Sequence, residues 1–384
     1  MNFSNYFCQN KNMRIGFDAK RIFHNASGLG NYSRDLIRIL SEKYPENHYL
    51  LYNPKQGKIN RITEEKNISI HYPETNFGKR FSSYWRRSAI VKQLKKDKLD
   101  LFHGLSNELP ESIENTGIPS IVTIHDLIFL RYPEWYGKVE TFIHTKKIKQ
   151  AAHAANFVIA ISEQTKNDLI EFLNIPGEKI KVIYQGCHQA FKKFYSGEEK
   201  IAVKNKFHLP EKFLLNVGTI EERKNLLTIA KSLKHHDLPL VVIGKETKYT
   251  EKVKQYLHEN NLENRVQFLK NVSMQELAII YQSSSVFLYP SVFEGFGIPI
   301  IEALYSKVPV ITSKGSCFPE AGGNSSFYID TFDEKMLAEK ANLLMNNENL
   351  YQQTVENGYK YAQRFNDDVI AKQVMNLYQQ TIKH

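Results

Sequence analysis

Two glutamates eight positions apart are the residues in this chain best placed by type and spacing to do chemistry. Val286 to Tyr289 is an apolar run that predicts a buried strand, and Pro290 ends it because proline cannot donate to a ladder. The stretch from Ser291 to Tyr305 then reads Ser-Val-Phe-Glu-Gly-Phe-Gly-Ile-Pro-Ile-Ile-Glu-Ala-Leu-Tyr. Gly295 and Gly297, on either side of Phe296, allow a tight turn with bare backbone, and Pro299 suits the first position of a helix. Glu294 is therefore expected on the loop and Glu302 in the first turns of the helix. Open α/β sheets bind ligands at the C-terminal ends of their strands. Free N–H groups there favour a phosphate, and the two carboxylates would accept hydroxyls, a combination that suits a sugar nucleotide. A plain strand–turn–helix with two solvated glutamates fits the same spacing.

A pair of cations stands in an equivalent place. Phe213 to Val217 predicts a strand, followed by Gly218-Thr219-Ile220-Glu221-Glu222-Arg223-Lys224-Asn225. Arg223 and Lys224 could neutralise a diphosphate, the one as a fork and the other as a point charge; a solvated charged turn fits the same residues. Near the start, Arg14 to Asp18 predicts the first strand, and a helix is expected from about Ser33 to Glu42. The turn between them holds Gly28 and Gly30 and could expose N–H groups to an anion, although the third glycine of a dinucleotide fingerprint is missing. His103 and His125 end predicted strands, on the ligand edge of a parallel sheet, where a lone histidine is more often structural. Gly78 to Arg87 gathers Lys79, Arg80, Phe81, Tyr84, Trp85, Arg86 and Arg87. An amphipathic helix with its aromatics in the core is the commoner meaning of such a stretch.

Glu294 and Glu302, with Gly-Phe-Gly after the first, resemble the E-x7-E signature of retaining glycosyltransferases of family 4. The resemblance implies the GT-B fold, an α/β architecture of two Rossmann-like domains with parallel sheets facing across a cleft. It implies that Glu294 holds the transferred sugar, that Glu302 accepts from the ribose, and that Gly295, Phe296 and Gly297 bring backbone to the donor. The stretch Thr-Ile-His-Asp-Leu-Ile-Phe-Leu-Arg-Tyr-Pro-Glu is similar to the family segment whose histidine reaches the donor sugar, here His125. Gly28 and Gly30 would lie against donor phosphate and acceptor, and Ser162 would face the cleft. Arg223 and Lys224 would take the pyrophosphate. Many members carry arginine where this chain has Thr219, so Arg223 would compensate. The loop at Val272 would hold the base through backbone groups, and Gly78 to Arg87 would meet the acceptor or the membrane surface.

The wording of these motifs is close to bacterial mannosyltransferases of surface polysaccharide synthesis. GDP-mannose is therefore the expected donor, and a glycan or lipid-linked glycan the expected acceptor. UDP-glucose or UDP-N-acetylglucosamine is the second choice of donor. A sugar-nucleotide epimerase of the same fold and a non-catalytic sugar-nucleotide-binding protein are the rival functions. No Asp-x-Asp motif stands in a plausible place, so no essential metal is expected, and no cofactor beyond the nucleotide sugar as substrate.

Composition agrees with a two-domain globular chain. It has 384 residues, 42% hydrophobic and 24% charged. Residues 1–12 are expected to be a disordered lead, 13–186 an N-terminal acceptor-side domain and 187–210 a linker. Residues 211–365 would bind the nucleotide sugar, and a helix over 366–384 would cross back to the first domain. Cys8, Cys187 and Cys317 are far apart and odd in number, which points to a reducing compartment. No signal peptide and no apolar run of membrane-spanning length is visible, so a cytoplasmic location is expected. The formal charge of +10 suggests peripheral contact with an anionic inner membrane face. No zinc finger, RNP motif or basic helix supports nucleic-acid binding.

Overall fold

The computed structural model describes residues 12–57 and 62–383; the expected lead, Asn12 apart, lies outside them. The chain divides into two compact units. One runs up to Ile161 and includes Thr165–Ile183 and the chain from Asp367 onward; the other is Ser162–Gln164 with Tyr184–Asn366.

The first unit is built on β1 (Arg14–Asp18), β2 (His48–Tyr52), β3 (Ile68–His71), β4 (Leu101–Gly104), β5 (Ser120–Ile124), β6 (Phe157–Ala160) and β7 (Ile180–Val182). Their order is β3-β2-β1-β4-β5-β6-β7, with every neighbouring pair parallel. Parallel sheets need crossover helices on both faces, so their strands read as continuous apolar runs. On one face Leu36, Ile37 and Leu40 of the helix Gly28–Lys43 pack with Ile370, Val374 and Tyr378 of the helix Asp367–Lys383. On the other, Ile148 and Ala151 cover Val122 and Ile124, while Trp85, Ile90 and Leu94 cover Leu50 and Tyr52.

The second unit repeats the scheme with β8 (Leu214–Val217), β9 (Leu240–Ile243), β10 (Val266–Leu269), β11 (Val286–Tyr289), β12 (Val310–Ser313) and β13 (Phe327–Ile329). The order is β10-β9-β8-β11-β12-β13, again all parallel. In each sheet the chain winds outward one way, returns to the centre and winds out the other way. That reversal falls between β1 and β4 in the first sheet and between β8 and β11 in the second. Adjacent loops diverge at such a point and leave a crevice beyond the strand ends.

Two expected boundaries differ. The main helix of the first unit starts at Gly28, several residues before the expected Ser33, and a short helix, Lys20–His24, precedes it. A Cβ on Gly30 would lie 1.9 Å from the carbonyl oxygen of Asn25, so glycine is required for the helix to pass this close to the preceding chain. Residues 187–210, expected as a linker, fold with the second unit and contain the helix Gly197–Phe207. A capping box starts that helix: the Ser196 side chain accepts from Glu199 N, and the Glu199 side chain accepts from Ser196 N.

His103 belongs to the packing of the first unit. It is fully buried, with Nδ1 2.6 Å from Tyr378 Oη and Nε2 2.8 Å from Thr123 Oγ1. Burial, with His125 nearby, pushes its pKa down to about 3, so the ring is neutral. It ties β4 and β5 to the helix Asp367–Lys383, the structural role common for such a histidine. Tyr378→Phe should therefore leave a buried ring nitrogen unpaired and lower the unfolding free energy by about 1–3 kcal/mol, read from the urea midpoint. Because the folded pKa lies below the unfolded value, the His103 contribution is full above about pH 6.5. It should fall as the pH drops from there toward about 3, so the wild type should lose stability over that window in urea titrations at stepped pH.

Candidate active site

The side chains in the second unit converge because β8 and β11 are neighbours. The loop after β8 ends in a short turn, Glu222–Lys224, and the loop after β11 carries Glu294. Glu294 Oε1 lies 2.8 Å from Lys224 Nζ, and Oε2 lies 2.7 Å from Arg223 Nη1. Tyr289 Oη donates to the same Oε1 at 2.8 Å and accepts from Lys224 Nζ at 2.7 Å. Arg223 also reaches Glu221 at 2.7 Å, and its carbonyl accepts from Val292 N, which ties the two loops together. Burial by itself would raise the Glu294 pKa. Lys224 and then Arg223 outweigh it and hold the carboxyl at about 2, so Glu294 is ionised.

Backbone conformation explains the glycines around this cluster. Gly297 caps the helix Ile298–Tyr305 with φ +103°, a region that favours glycine. Pro299 sits in the first turn, at its second position rather than the expected first. Gly218 has φ +143°, and a Cβ there would come within 3.0 Å of Lys224 Cδ, so a side chain would crowd the cation. The loop after β12 closes over the other side, where Cys317 Sγ contacts the carbonyls of Phe296 at 2.9 Å and Glu294 at 3.2 Å. Ser162, which groups with this unit, donates its hydroxyl to Gly295 O at 2.7 Å.

Glu302 occupies a different environment. Its carboxyl lies 3.2 Å from Tyr281 Oη. Burial pushes its pKa up to about 7, even with the Tyr281 hydroxyl and the Lys224 charge working the other way. Thr219 follows Gly218 at the end of β8. Val272 follows edge strand β10, with β9 between it and β8, so it lies outside the Glu294 cluster. Tyr289, expected only as the last strand residue, is part of that cluster. Its position five residues before Glu294, at the strand end, is the signal that could have found it.

In the first unit His125 follows β5. It is buried, its Nε2 lies 2.9 Å from the carbonyl of Leu105, and Tyr32 packs edge-on against the ring at 4.8 Å. Burial pushes its pKa down to about 4 despite the Leu105 carbonyl, leaving a neutral ring whose Nε2 donates to that carbonyl. Gly28 lies in the first turn of its helix rather than in a loop, and a Cβ there would meet nothing within 4 Å. Gly30 is set by its approach to Asn25.

The same unit holds a groove of about 870 Å³ beyond the ends of β1 and β4. Arg86 pairs there with both Asp18 and Glu108. Lys20, Lys55, Arg87, Lys146 and Lys147 line the rest, with Tyr84, Phe142 and Ile143. Burial beside Arg86 lowers the Lys20 pKa. Of the aromatic side chains in the stretch Gly78 to Arg87, Trp85 alone is buried, at 4% exposure, while Phe81 and Tyr84 are about half exposed. The expected inward-facing arrangement therefore holds only for Trp85. On the helix Lys138–Ala154, Val139 and Phe142 are 73% and 69% exposed.

Among the described residues no helix is long and apolar enough to cross a membrane. Nor does any group of three His, Cys, Asp or Glu side chains stand ready to hold a metal ion.

Comparison with known proteins places the chain in a family. The chain is 23% identical to O-antigen chain mannosyltransferase B of Escherichia coli over 95% of its own length and 99% of that protein. It is 30% identical to O-antigen chain mannosyltransferase RfbU of Salmonella typhimurium over 56% of its own length and 57% of that protein. Its fold matches the crystal structure of Anabaena HepE in complex with UDP with a TM-score of 0.74, covering 96% of this chain and 100% of that one at 16% identity. Residues 26–190 match the family model Glycosyltransferase Family 4, and residues 197–361 match Glycosyl transferases group 1. With both models matched in order and two doubly wound parallel sheets, the chain belongs to the family 4 glycosyltransferases and has the GT-B fold.

Proposed function

We propose that the enzyme transfers mannose from GDP-mannose, with retention, to a sugar hydroxyl of a glycan or lipid-linked glycan in surface polysaccharide synthesis. The observation that carries the catalytic reading is the Arg223–Glu294–Lys224 cluster at the ends of β8 and β11. Departure of a nucleoside diphosphate develops negative charge, and fixed donors aimed at that charge supply the largest catalytic term. Arg223, Lys224 and the N–H groups around Gly295 to Gly297 fit that task. Glu294, kept ionised, holds hydroxyls beside an oxocarbenium-like sugar. Glu302 accepts from the ribose, Val272 lies by the base, and Gly28, Gly30, Ser162 and Thr219 complete the donor contacts. His125 orients the sugar, as the family resemblance implies.

The mannose assignment is supported by the names of the two O-antigen relatives. A UDP-sugar is the second reading, favoured by the match to a structure solved with UDP. Thermal protection separates them: GDP should raise the melting temperature, and protection by UDP alone would overturn the mannose reading.

The acceptor is assigned to the first unit's groove. Its lysines suit an anionic glycan or a phosphate-bearing carrier. The outward Phe81, Tyr84, Val139 and Phe142 suit peripheral contact with an anionic membrane, at about 1 kcal/mol for each well-placed cation. Phe142→Ser should weaken binding to phosphatidylglycerol vesicles while leaving nucleotide binding intact. Equal vesicle binding would remove this surface from the assignment.

Two variants test the site. Lys224→Ala should weaken binding of the free diphosphate by about 1.5–3 kcal/mol in calorimetry. Glu294→Gln should lower transfer by about a thousandfold in a protein that still folds. Nucleotide affinity should rise with pH from about 6 to about 8 as Glu302 ionises, and Glu302→Gln should remove the part of that rise not shared by the nucleotide's own titration.

A further inference from the structure

We propose that Tyr289 is a positioning residue in a latch: it seats Lys224 against Glu294 until a nucleoside diphosphate takes over Lys224 and Arg223, which frees the Glu294 carboxylate for the sugar. The inference rests on the donor reading above.

Three contacts close a triangle: Lys224 Nζ to Tyr289 Oη at 2.7 Å, Lys224 Nζ to Glu294 Oε1 at 2.8 Å, and Tyr289 Oη to the same Oε1 at 2.8 Å. The Tyr289 ring also carries Lys224 Nζ 5.0 Å from its centroid. Lys224 and Glu294 are on loops, whereas Tyr289 is the last residue of β11. It is fully buried, its ring packs on Phe287 and Phe318, and its carbonyl accepts from Thr312 Oγ1 at 2.8 Å. The sheet therefore fixes the phenol, and the phenol fixes the two charged groups. Burial and then the Glu294 charge raise the Tyr289 hydroxyl well above its ordinary pKa. It stays protonated, donates to the carboxylate and accepts from the ammonium.

Glu294 engages one cation with each oxygen, so a diphosphate that binds Arg223 and Lys224 must compete with it. The diphosphate carries more charge and more acceptor oxygens, and it offers arginine a bidentate partner. When the cations turn to it, the carboxylate keeps the Tyr289 hydrogen bond and gains room for hydroxyl donors. Donor binding and arming of Glu294 are then one event.

Calorimetry with GDP and UDP on the intact protein tests this, with Lys224→Ala as the reference. Glu294→Gln should bind the diphosphate about tenfold more tightly than wild type, because its competitor for the cations has lost its charge. Tyr289→Phe, which keeps the ring and the fold, should lower kcat about tenfold while the donor KM stays within about threefold. A purely structural tyrosine would instead lower the melting temperature without that split. Equal or weaker diphosphate binding by Glu294→Gln, while Lys224→Ala still weakens it, would overturn the latch alone. So would an unchanged kcat in Tyr289→Phe. Unchanged binding in Lys224→Ala would overturn the diphosphate reading and the latch with it.

Discussion

A carboxylate removed from water must be given cations, and the second unit is organised around meeting that demand at Glu294. Desolvation alone would favour the protonated form of this group. Arg223 and Lys224 reverse this, one at each oxygen. They can do so only because β11 pairs with β8, which places two loops some seventy residues apart in sequence side by side. Gly218 beside Lys224 and Gly297 at the helix start are consequences of the same requirement, since both let the backbone come close without side chains in the way. Arg223 and Lys224 face the buried Glu294 and the more exposed Glu221, so an anion arriving there must compete with both carboxylates for the cations.

The first unit solves a related problem around a single buried arginine. At its own reversal point Arg86 stands between Asp18 at the end of β1 and Glu108 beyond β4. Burial would raise Glu108, but Arg86, then Lys147 and Lys20, hold it at about 2. Arg86 thus bridges two carboxylates, which form an accepting patch set within a rim of lysines that includes Lys147. Such a patch suits hydroxyls, and the rim suits phosphate or acidic sugar. The two reversal points are equivalent in topology and differ in the charged groups they gather.

Much of this was legible in the sequence, and the parts that were not have physical reasons. The buried strands were readable because parallel strands covered on both faces are continuous apolar runs, as Val286 to Tyr289 illustrates. Arg223, Lys224 and Glu294 were each readable as candidates at strand ends. Their mutual pairing was not, since it depends on strand order and no local pattern encodes that. Tyr289 was hidden by its neighbours: in an apolar strand a tyrosine reads as core, and only the three-dimensional arrangement shows its hydroxyl at work. The helix start at Gly28 is hard to read because glycine is a poor helix former, and Gly30 is there for its approach to Asn25 rather than for propensity. The helix after Ser196 is obscured for the opposite reason. A Ser-x-x-Glu capping box is present, but the high charge of the segment resembles that of a linker.

The two glutamates of the motif end in contrasting environments, and the contrast divides their work. Glu294 is held at about 2 and Glu302 is pushed to about 7. Spacing along the chain treats them as a pair; the fold separates them, giving one two cations and the other a tyrosine hydroxyl. Two carboxyl groups whose surroundings drive their pKa values apart can take different tasks at one pH. The ionised one can stabilise charge at the reacting sugar. The other, near its midpoint at neutral pH, can meet a diol either as acceptor or as donor. Lys224 links them, since its charge holds Glu294 ionised and also lowers Glu302. Whatever draws Lys224 away therefore shifts both carboxyl groups at once.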